Sequence, residues 1–339
     1  MSTEYQGLDA VHLPAEGSVH EHVDAEPLTN WATISQFVVQ INKQSKVVAP
    51  IYANGRQQAP IEIVIQARDA DGVAVNLTTA QLKSIRLIEY DNGNPVGNVS
   101  DAKVDRYIYQ WGVSREDGSE VDGSAAADDG PGAAAQTVTK YVHKNLVTTN
   151  WIAAEITSPS GVVFRTNTPD PTPGKFDSWV KLQGREALIQ DSDALTMERV
   201  VEVSNGYWNI HMYYIRFTDA SLRVVWSVHP EVAADKPHSS CNVHGWNLFH
   251  IAYLRDSRRR VEFAPPSLGG PGAEYYINKR DGEATAVWIQ SVGNYFPNHP
   301  HGSNCVIYVN QYGNEARCML DPNDADDHYT MNLRKYGDH

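Results

Sequence analysis

The sequence predicts an all-β protein made of two β-sandwich domains that follow an extended N-terminal arm. Short segments rich in Val, Ile, Thr and Tyr recur along most of the 339 residues, and turns containing Gly, Asn or Asp separate them. Only residues 193–201 carry a helical pattern. A proline-rich linker at residues 169–175 divides the chain, because prolines so closely spaced do not fit within a central strand.

Residues 1–45 are predicted to form the N-terminal arm. Residues 1–30 are polar and contain several acidic residues together with His12, His20 and His22. Residues 31–41 (WATISQFVVQI) follow, and their β-branched content favours a strand. We therefore expect an extended arm that leads into the first domain.

The clearest strand pattern of the predicted first domain, residues 46–168, lies in residues 50–76. It begins with Asn54-Gly55, a dipeptide that readily adopts positive φ in turns. Alternating isoleucines then give the next strand one apolar face: Ile61, Ile63 and Ile65. The turn at residues 69–72 (DADG) ends that strand, and the alternation resumes after it. This stretch predicts two strands and two turns of a sandwich.

The other strands of the first domain are predicted in segments that resume this patterning: residues 84–90, 107–111, 137–142, 151–156 and 162–165. The last two segments flank a turn and are expected to form a hairpin. Residues 116–135 are low in complexity and rich in Gly, Ala and Asp. They are predicted to form a long exposed loop, because this composition offers little to bury.

Residues 50–76 resemble the opening of the bacterial immunoglobulin-like domains found in invasin and intimin adhesins. The matching positions are Ala53, Asn54, Gly55, Ile61, Ile63, Ile65, Asp69, Asp71 and Gly72. The resemblance implies an immunoglobulin-like fold for the first domain and a role as a scaffold or adhesion module. It implies no particular ligand, and the long loop at residues 116–135 departs from the family pattern.

The second domain is predicted over residues 176–339 as an aromatic-rich β-sandwich. Its strand segments are residues 207–217, 222–228, 246–254, 259–263, 286–292, 306–310 and 316–320. The turn at residues 311–314 (QYGN) predicts a hairpin between the last two of them.

Charge and hydropathy exclude several classes of partner. The net charge of −13 argues against binding to a nucleic-acid backbone. No apolar run is long enough to predict a membrane-spanning helix. The N-terminus lacks the basic and apolar regions of a secretory signal, so we expect synthesis in the cytoplasm and release, if any, in a particle or by non-classical secretion.

The spacing His238-x-x-Cys241-x-x-His244, with Cys305 from a second cluster, predicts a candidate zinc site. Thiolate and imidazole are good zinc ligands, and both segments are predicted as loops that could meet at one end of a sandwich. Two alternatives remain open: a Cys241–Cys305 disulfide, or buried cysteines beside surface histidines. Apart from this possible zinc, no cofactor is expected.

The loop GNYFPNHPHG offers the best candidate contacts to a glycan or receptor: Tyr295, Phe296, His299 and His301. Aromatic rings stack on sugars through their apolar faces. The alternative is that these side chains pack within their own loop. Acidic residues at positions 69–71 and 321–327 faintly resemble calcium loops, but hairpin turns and a solvated segment explain them better.

No catalytic motif is present, so we expect a protein that is not an enzyme. The predicted function is structural: a β-sandwich component of a bacterial or phage assembly or adhesive surface, acting as a homo-oligomer or within a larger assembly. Two other functions remain open. One is a secreted toxin or lectin-like binder of a host glycan or receptor, and the other is a metal-dependent hydrolase.

Overall fold

The computed structural model describes residues 30–105, 107, 109, 114–115, 134–168, 175–204, 208–228, 238–242, 248–253, 259–263, 273–291, 304–322 and 330–337. Within them the chain is all-β, as predicted, with one short α-helix and one 3₁₀ turn. No helix in these ranges is long and apolar enough to cross a lipid bilayer. Most of the predicted arm and of the loop at residues 116–135 lies outside the described residues.

Two sheets in the first part of the chain enclose one hydrophobic core, and we call them the first sheet pair. Its elements are β1 (Thr33–Gln40), β2 (Val47–Tyr52), β3 (Ala59–Arg68), β4 (Ala74–Val75), α1 (Thr79–Lys83), β5 (Arg86–Glu89), β6 (Val99–Ser100), β7 (Ser114–Arg115), β8 (Gln136–Val142), β9 (Thr149–Thr157), β10 (Val163–Arg165) and β11 (Val180–Arg185).

One sheet of this pair has the order β1-β3-β8-β6, with β4 beside β3. The other has the order β10-β9-β11-β2-β7, with β5 beside β9. Strands β2 and β11 run parallel, and the other described neighbours in these sheets are antiparallel. The pairing of β9 with β10 confirms the predicted hairpin.

The first strand and the two turns predicted in residues 50–76 are confirmed, whereas the second strand is only the two-residue β4 and Val73 before it is exposed. Gly55 has a φ of +69°, and β3 buries every second residue because successive side chains point to opposite faces. The next turn closes when the Asp69 carboxylate accepts hydrogen bonds from the backbone N–H groups of Asp71 and Val73. The isoleucines of β3 therefore face the core between the two sheets.

The predicted domain boundary at residues 169–175 does not separate the two sheet systems. Strand β11 follows it and inserts between β9 and β2, with Val180 opposite both Ile152 and Val47. Val180 and Leu182 are fully buried in the first core. The strand that follows the proline-rich segment returns to the same sheet. The first sheet pair therefore extends to Arg185.

Two further sheets share a second core and form the second sheet pair. Its elements are β12 (Ile189–Gln190), a 3₁₀ turn (Ser192–Ala194), β13 (Leu195–Ser204), β14 (Trp208–Phe217), β15 (Val224–Val228), β16 (His238–Asn242), β17 (Leu248–Tyr253), β20 (Ala284–Ser291), β21 (Asn304–Asn310), β22 (Glu315–Pro322) and β23 (Met331–Lys335). Between β17 and β20 in the chain, β18 (Arg259–Phe263) and β19 (Ala273–Ile277) pair with each other in a separate two-stranded sheet.

The sheets of the second pair have the orders β12-β22-β21-β15, with β23 beside β22, and β13-β14-β20-β17-β16. The core between them contains Tyr213, Trp288 and Tyr308. Strands β14 and β20 are also buried on their other face, where Met212 pairs with Val287. A strand buried on both faces has apolar residues at consecutive positions instead of alternating ones. This explains why the sequences of β14 and β20 are rich in aromatic and aliphatic residues.

The helix predicted at residues 193–201 is wrong. A 3₁₀ turn ends at Ala194, and β13 pairs antiparallel with β14 from Leu195 onward. The long-range pairing overrides the local helical pattern. The helix that forms instead is α1, where the Thr78 side chain accepts from the Gln81 N–H and the Gln81 side chain accepts from the Thr78 N–H.

Candidate functional site

The predicted zinc residues lie only partly in the described ranges. His238 and Cys241 belong to β16 rather than to a loop, and Cys241 lies opposite His250 of β17. His244 falls outside the described residues. Strand β16 forms because it pairs with β17 and so extends that sheet by one strand. Its Ser and Asn residues, which suggested a loop, are compatible with a strand at the edge of a sheet.

Cys305 also lies in a strand, β21, and is buried. It pairs with Met319, whereas Cys318 pairs with Val306, so the two cysteines face opposite sides of their sheet. Burial raises the pKa of the Cys318 thiol, and nearby Cys305 adds to this effect. Cys318 is a buried thiol, and the alternative Cys241–Cys305 disulfide stays a prediction.

The candidate ligand contacts Tyr295, Phe296, His299 and His301 lie outside the described residues and stay predictions. Within the described part of the chain, no group of three or more His, Cys, Asp or Glu side chains is placed to hold a metal ion. The Asp69 carboxylate, considered above for calcium, is engaged by the two backbone N–H groups of its own turn.

A polar cluster around one buried lysine lies where β5, β8 and β9 come together in the first sheet pair. We call it the Lys144 cluster, and its members are Glu89, Lys144, Thr148 and Asn150. Glu89 ends β5 opposite Ile152 of β9, which places it on the same face as Asn150 two residues earlier. Lys144 and Thr148 lie in the connection between β8 and β9.

The Asn150 side-chain amide is the centre of the Lys144 cluster. The Lys144 ammonium Nζ donates a hydrogen bond to Asn150 Oδ1, and Thr148 Oγ1 donates to the same oxygen at 3.3 Å. The amide nitrogen Nδ2 donates to Glu89 Oε1 at 3.2 Å. The second oxygen of Glu89 accepts from Asn92 Nδ2 at 2.6 Å. Both ends of the amide are therefore engaged.

Lys144 is only 7% exposed, an unusual position for a lysine without an ion pair. Desolvation lowers the pKa of its ammonium group, and the charge of Glu89 offsets part of this effect. Among the described residues, no carboxylate lies within ion-pairing distance of Lys144. Lys140 is equally buried, but it pairs with Asp101 at 2.6 Å. Lysines with lowered pKa values in clefts are candidates for chemistry.

A cleft of about 240 Å³ opens beside the Lys144 cluster. Glu89, Lys144, Thr148 and Asn150 all line it, together with His143 and residues of the first core such as Ile152 and Leu182. The cluster is thus buried against an apolar wall on one side and reachable from the cleft on the other.

A second cleft, of about 370 Å³, lies at the junction between the two sheet pairs. Here the 53–56 turn meets the hairpin between β21 and β22. Asn54 Nδ2 donates to the Tyr312 carbonyl at 2.8 Å, and Arg56 pairs with Glu315 at 2.6 Å. Gly313 has a φ of +79°, and a Cβ there would lie 2.9 Å from Arg56 Cβ. The junction is therefore closely packed and hydrogen-bonded.

Exposed aliphatic side chains lie on the two segments that reach the junction cleft, and we call them the aliphatic patch: Leu146, Val147, Leu188 and Ile189. They are 70%, 58%, 48% and 60% exposed. Leu188 and Ile189 line the cleft, and Leu146 and Val147 directly follow Asn145, which lines it too. The patch thus combines residues from the first sheet pair with the start of the second.

Sequence reasoning missed both the Lys144 cluster and the aliphatic patch. The segment HKNLVTTN carries a signal for the patch, because Leu146 and Val147 are consecutive aliphatic residues in a connection between two strands. The cluster carries no comparable signal, since its Glu, Lys, Thr and Asn are common surface types. A scan against protein-family models and a search among curated proteins both give no match to this chain.

Proposed function

We propose that the protein is a non-enzymatic interaction protein, a component of a bacterial or phage assembly or adhesive surface, which associates with further copies of itself through the aliphatic patch. In this proposal each sheet pair is a β-sandwich domain, and the first is immunoglobulin-like. The core shared by its two sheets and the turn-rich strand pattern of residues 50–76 support an immunoglobulin-like fold for the first sheet pair.

The exposure of the aliphatic patch is the observation that carries this proposal. Leu146, Val147 and Ile189 leave most of their surface in water, and Leu188 leaves about half. Apolar residues scattered singly on a surface need no explanation, but a group of them beside a cleft is typical of a contact site. Burying them against another protein would recover about 25 cal/mol per Å² of apolar surface.

Charge favours an apolar contact between copies over a polar one. Each chain carries a net charge of −13, so two copies repel each other at long range. The ionic groups beside the patch do not share the overall negative charge, because one carboxylate, Glu315, pairs with two guanidinium groups, Arg56 and Arg317. The patch therefore offers a contact with little charge repulsion of its own.

Light scattering coupled to size-exclusion chromatography tests this proposal. We expect the protein to form an oligomer, and Val147→Asp or Ile189→Asp to weaken association at least tenfold by placing a charge in the contact. Val73→Asp is the matched control, because Val73 is 60% exposed and lies in the β3–β4 turn, away from the patch.

Oligomers that persist unchanged in both patch variants would show that the contact lies elsewhere. A protein that stays monomeric at all concentrations would contradict self-association altogether. Weakened association in Val73→Asp as well would mean that charge alone, rather than the patch, controls assembly.

A further inference from the structure

We propose that Lys144 and Asn150 become joined by an intramolecular isopeptide bond, formed within the Lys144 cluster from the Lys144 amine and the Asn150 side-chain amide. Three groups in hydrogen-bond contact support this inference: an amine as the nucleophile, a side-chain amide as the electrophile, and a carboxylate. Lys144 Nζ contacts Asn150 Oδ1, one bond from the amide carbon Cγ, and Asn150 Nδ2 contacts Glu89. This modification is separate from the self-association proposed above.

The reaction is an exchange of amides and needs no oxidant or external reactant. The lone pair of Lys144 Nζ attacks Asn150 Cγ and forms the new C–N bond. The bond from Cγ to Nδ2 breaks, and Nδ2 leaves as ammonia. One proton moves from the lysine nitrogen to the leaving nitrogen. The products are one secondary amide and one molecule of ammonia, so atoms and charge balance.

Glu89 is positioned to move that proton. Its Oε1 accepts a hydrogen bond from Nδ2, the nitrogen that leaves, at 3.2 Å. Once Nζ has attacked, it is bonded to the same carbon as Nδ2. The carboxylate beside Nδ2 can then take the proton from the lysine nitrogen and pass it to Nδ2, which converts a poor leaving group into ammonia. Asn92 holds the other oxygen of Glu89 through its Nδ2 at 2.6 Å.

Thr148 is positioned to stabilise the oxygen that gains charge. When the amine attacks, negative charge develops on Asn150 Oδ1, the oxygen to which Thr148 Oγ1 already donates at 3.3 Å. A donor aimed at a developing oxyanion lowers the barrier most in a site shielded from water. Lys144 is buried and Asn150 is half-buried, whereas Thr148 is exposed, so the reacting atoms are shielded from water on the lysine side only.

Burial also supplies the reactive form of the amine. An ammonium ion has no lone pair, so attack requires loss of a proton from Lys144. Desolvation lowers the pKa of this group and increases the neutral fraction. Lys140 shows the contrast, because its ammonium contacts a carboxylate, Asp101, and the Lys83 carbonyl. The Asp101 carboxylate is not an electrophile for an amine, so this contact cannot lead to an isopeptide bond.

Trypsin digestion of the denatured full-length protein followed by mass spectrometry tests the proposal. Trypsin cuts after unmodified lysines, so an unlinked chain gives separate peptides 141–144 and 145–165. The cross-linked chain gives one peptide, 141–165, uncut at Lys144 and lighter by one ammonia. Complete cleavage at Lys140 in the same sample shows that the digestion worked.

Variants separate the cross-link from other losses of ammonia. Lys144→Arg keeps the positive charge and should abolish the mass loss in residues 145–165. Glu89→Gln keeps the shape of the side chain and should slow cross-linking about 100-fold or more, since proton transfer by a positioned group contributes on this scale. Thr148→Val should slow it less.

Complete cleavage at Lys144 and a peptide of unchanged mass, in protein kept folded for days, would overturn the proposal. So would a mass loss that persists in Lys144→Arg, because it would then arise at an asparagine without the lysine. Cross-linking at an unchanged rate in Glu89→Gln would overturn the role of Glu89 while leaving the bond in place.

Discussion

His211 packs against Trp288, a residue of the second core. Its ring lies 4.8 Å from the Trp288 ring, and Arg199 Nε donates a hydrogen bond to His211 Nδ1 at 3.2 Å. Desolvation, with a smaller contribution from the charge of Arg199, lowers the pKa of His211 to about 4. The side chain is therefore neutral in the folded protein at neutral pH, and protonation would break the bond from Arg199.

We predict that the free energy of unfolding falls as the pH drops from about 6.5 to about 4, because of His211. The unfolded chain binds a proton on this histidine below pH 6.5, whereas the folded chain resists it until about pH 4. The stability is fully present above pH 6.5. We expect a loss of roughly 1 to 2 kcal/mol, less than for a fully buried group because solvent screens the site.

Urea denaturation at pH 7 and pH 4.5 measures this change. His211→Gln, which has no charge in either state, should reduce the difference between the two pH values. An equal difference in the wild type and the variant would assign the acid sensitivity to other groups.

At the scale of elements, β11 decides where the first sheet pair ends. It has β9 along one edge and β2 along the other. Its Gly184 also permits a close approach to the connection between β8 and β9. A Cβ at Gly184 would lie 2.9 Å from the carbonyl oxygens of Leu146 and Thr148. The strand thus completes the sheet and braces the segment that carries Lys144.

We predict that a fragment of residues 30–186 folds, whereas residues 30–168 do not. The shorter fragment lacks β11, so β9 and β2 lose their shared neighbour and the core loses Val180 and Leu182. Circular dichroism during urea titration should show a cooperative transition for the longer fragment alone. Equal transitions for both fragments would show that the first domain folds without β11 and ends at residues 169–175, as the sequence predicts.

The sequence could predict β3 but not the position of β11. Ile61, Ile63 and Ile65 alternate within one strand, so the buried face is encoded locally. The partners of β11, by contrast, lie far away in sequence, and Val47 is opposite Val180. A local pattern identifies a strand and its buried face but does not name its neighbours. The Lys144 cluster was missed for the same reason, since Glu89 reaches Asn150 only through the pairing of β5 with β9.

At the scale of the whole molecule, the junction couples the two sheet pairs through side chains from both. Arg56 contacts the Gly313 carbonyl at 3.1 Å and the Glu315 carboxylate. Asn314 Oδ1 accepts from Asn54 Nδ2 at 3.2 Å and from the Leu188 N–H at 3.1 Å. The Asn54-Gly55 dipeptide, which the sequence predicts as a turn with positive φ, is therefore also a contact point between the two halves.

We predict that Gly313→Ala uncouples the two sheet pairs. The added methyl group would lie 2.9 Å from Arg56 Cβ and push the β21–β22 hairpin away from the 53–56 turn. Gly72→Ala is the matched control, because its φ of +80° is almost the same but nothing lies within 4 Å of the added carbon. Gly313→Ala should cost about 1 to 3 kcal/mol more than the control, as overpacking does.

Differential scanning calorimetry distinguishes the two outcomes. The wild type and Gly72→Ala should unfold in one transition, and Gly313→Ala in two. A single transition in Gly313→Ala, shifted no further than in the control, would mean that the junction contacts contribute little to coupling.

The position of β11 also governs how the molecule would respond to mechanical load. If a force pulls the two sheet pairs apart, the chain transmits it to the first sheet pair at Arg185, the last residue of β11. Because β9 and β2 flank this strand, a load along its axis acts on both ladders of hydrogen bonds in shear. Bonds loaded in shear must yield together, whereas those of a peeled edge strand yield one at a time. The first sheet pair therefore resists unfolding from its C-terminal strand, β11, under such a load.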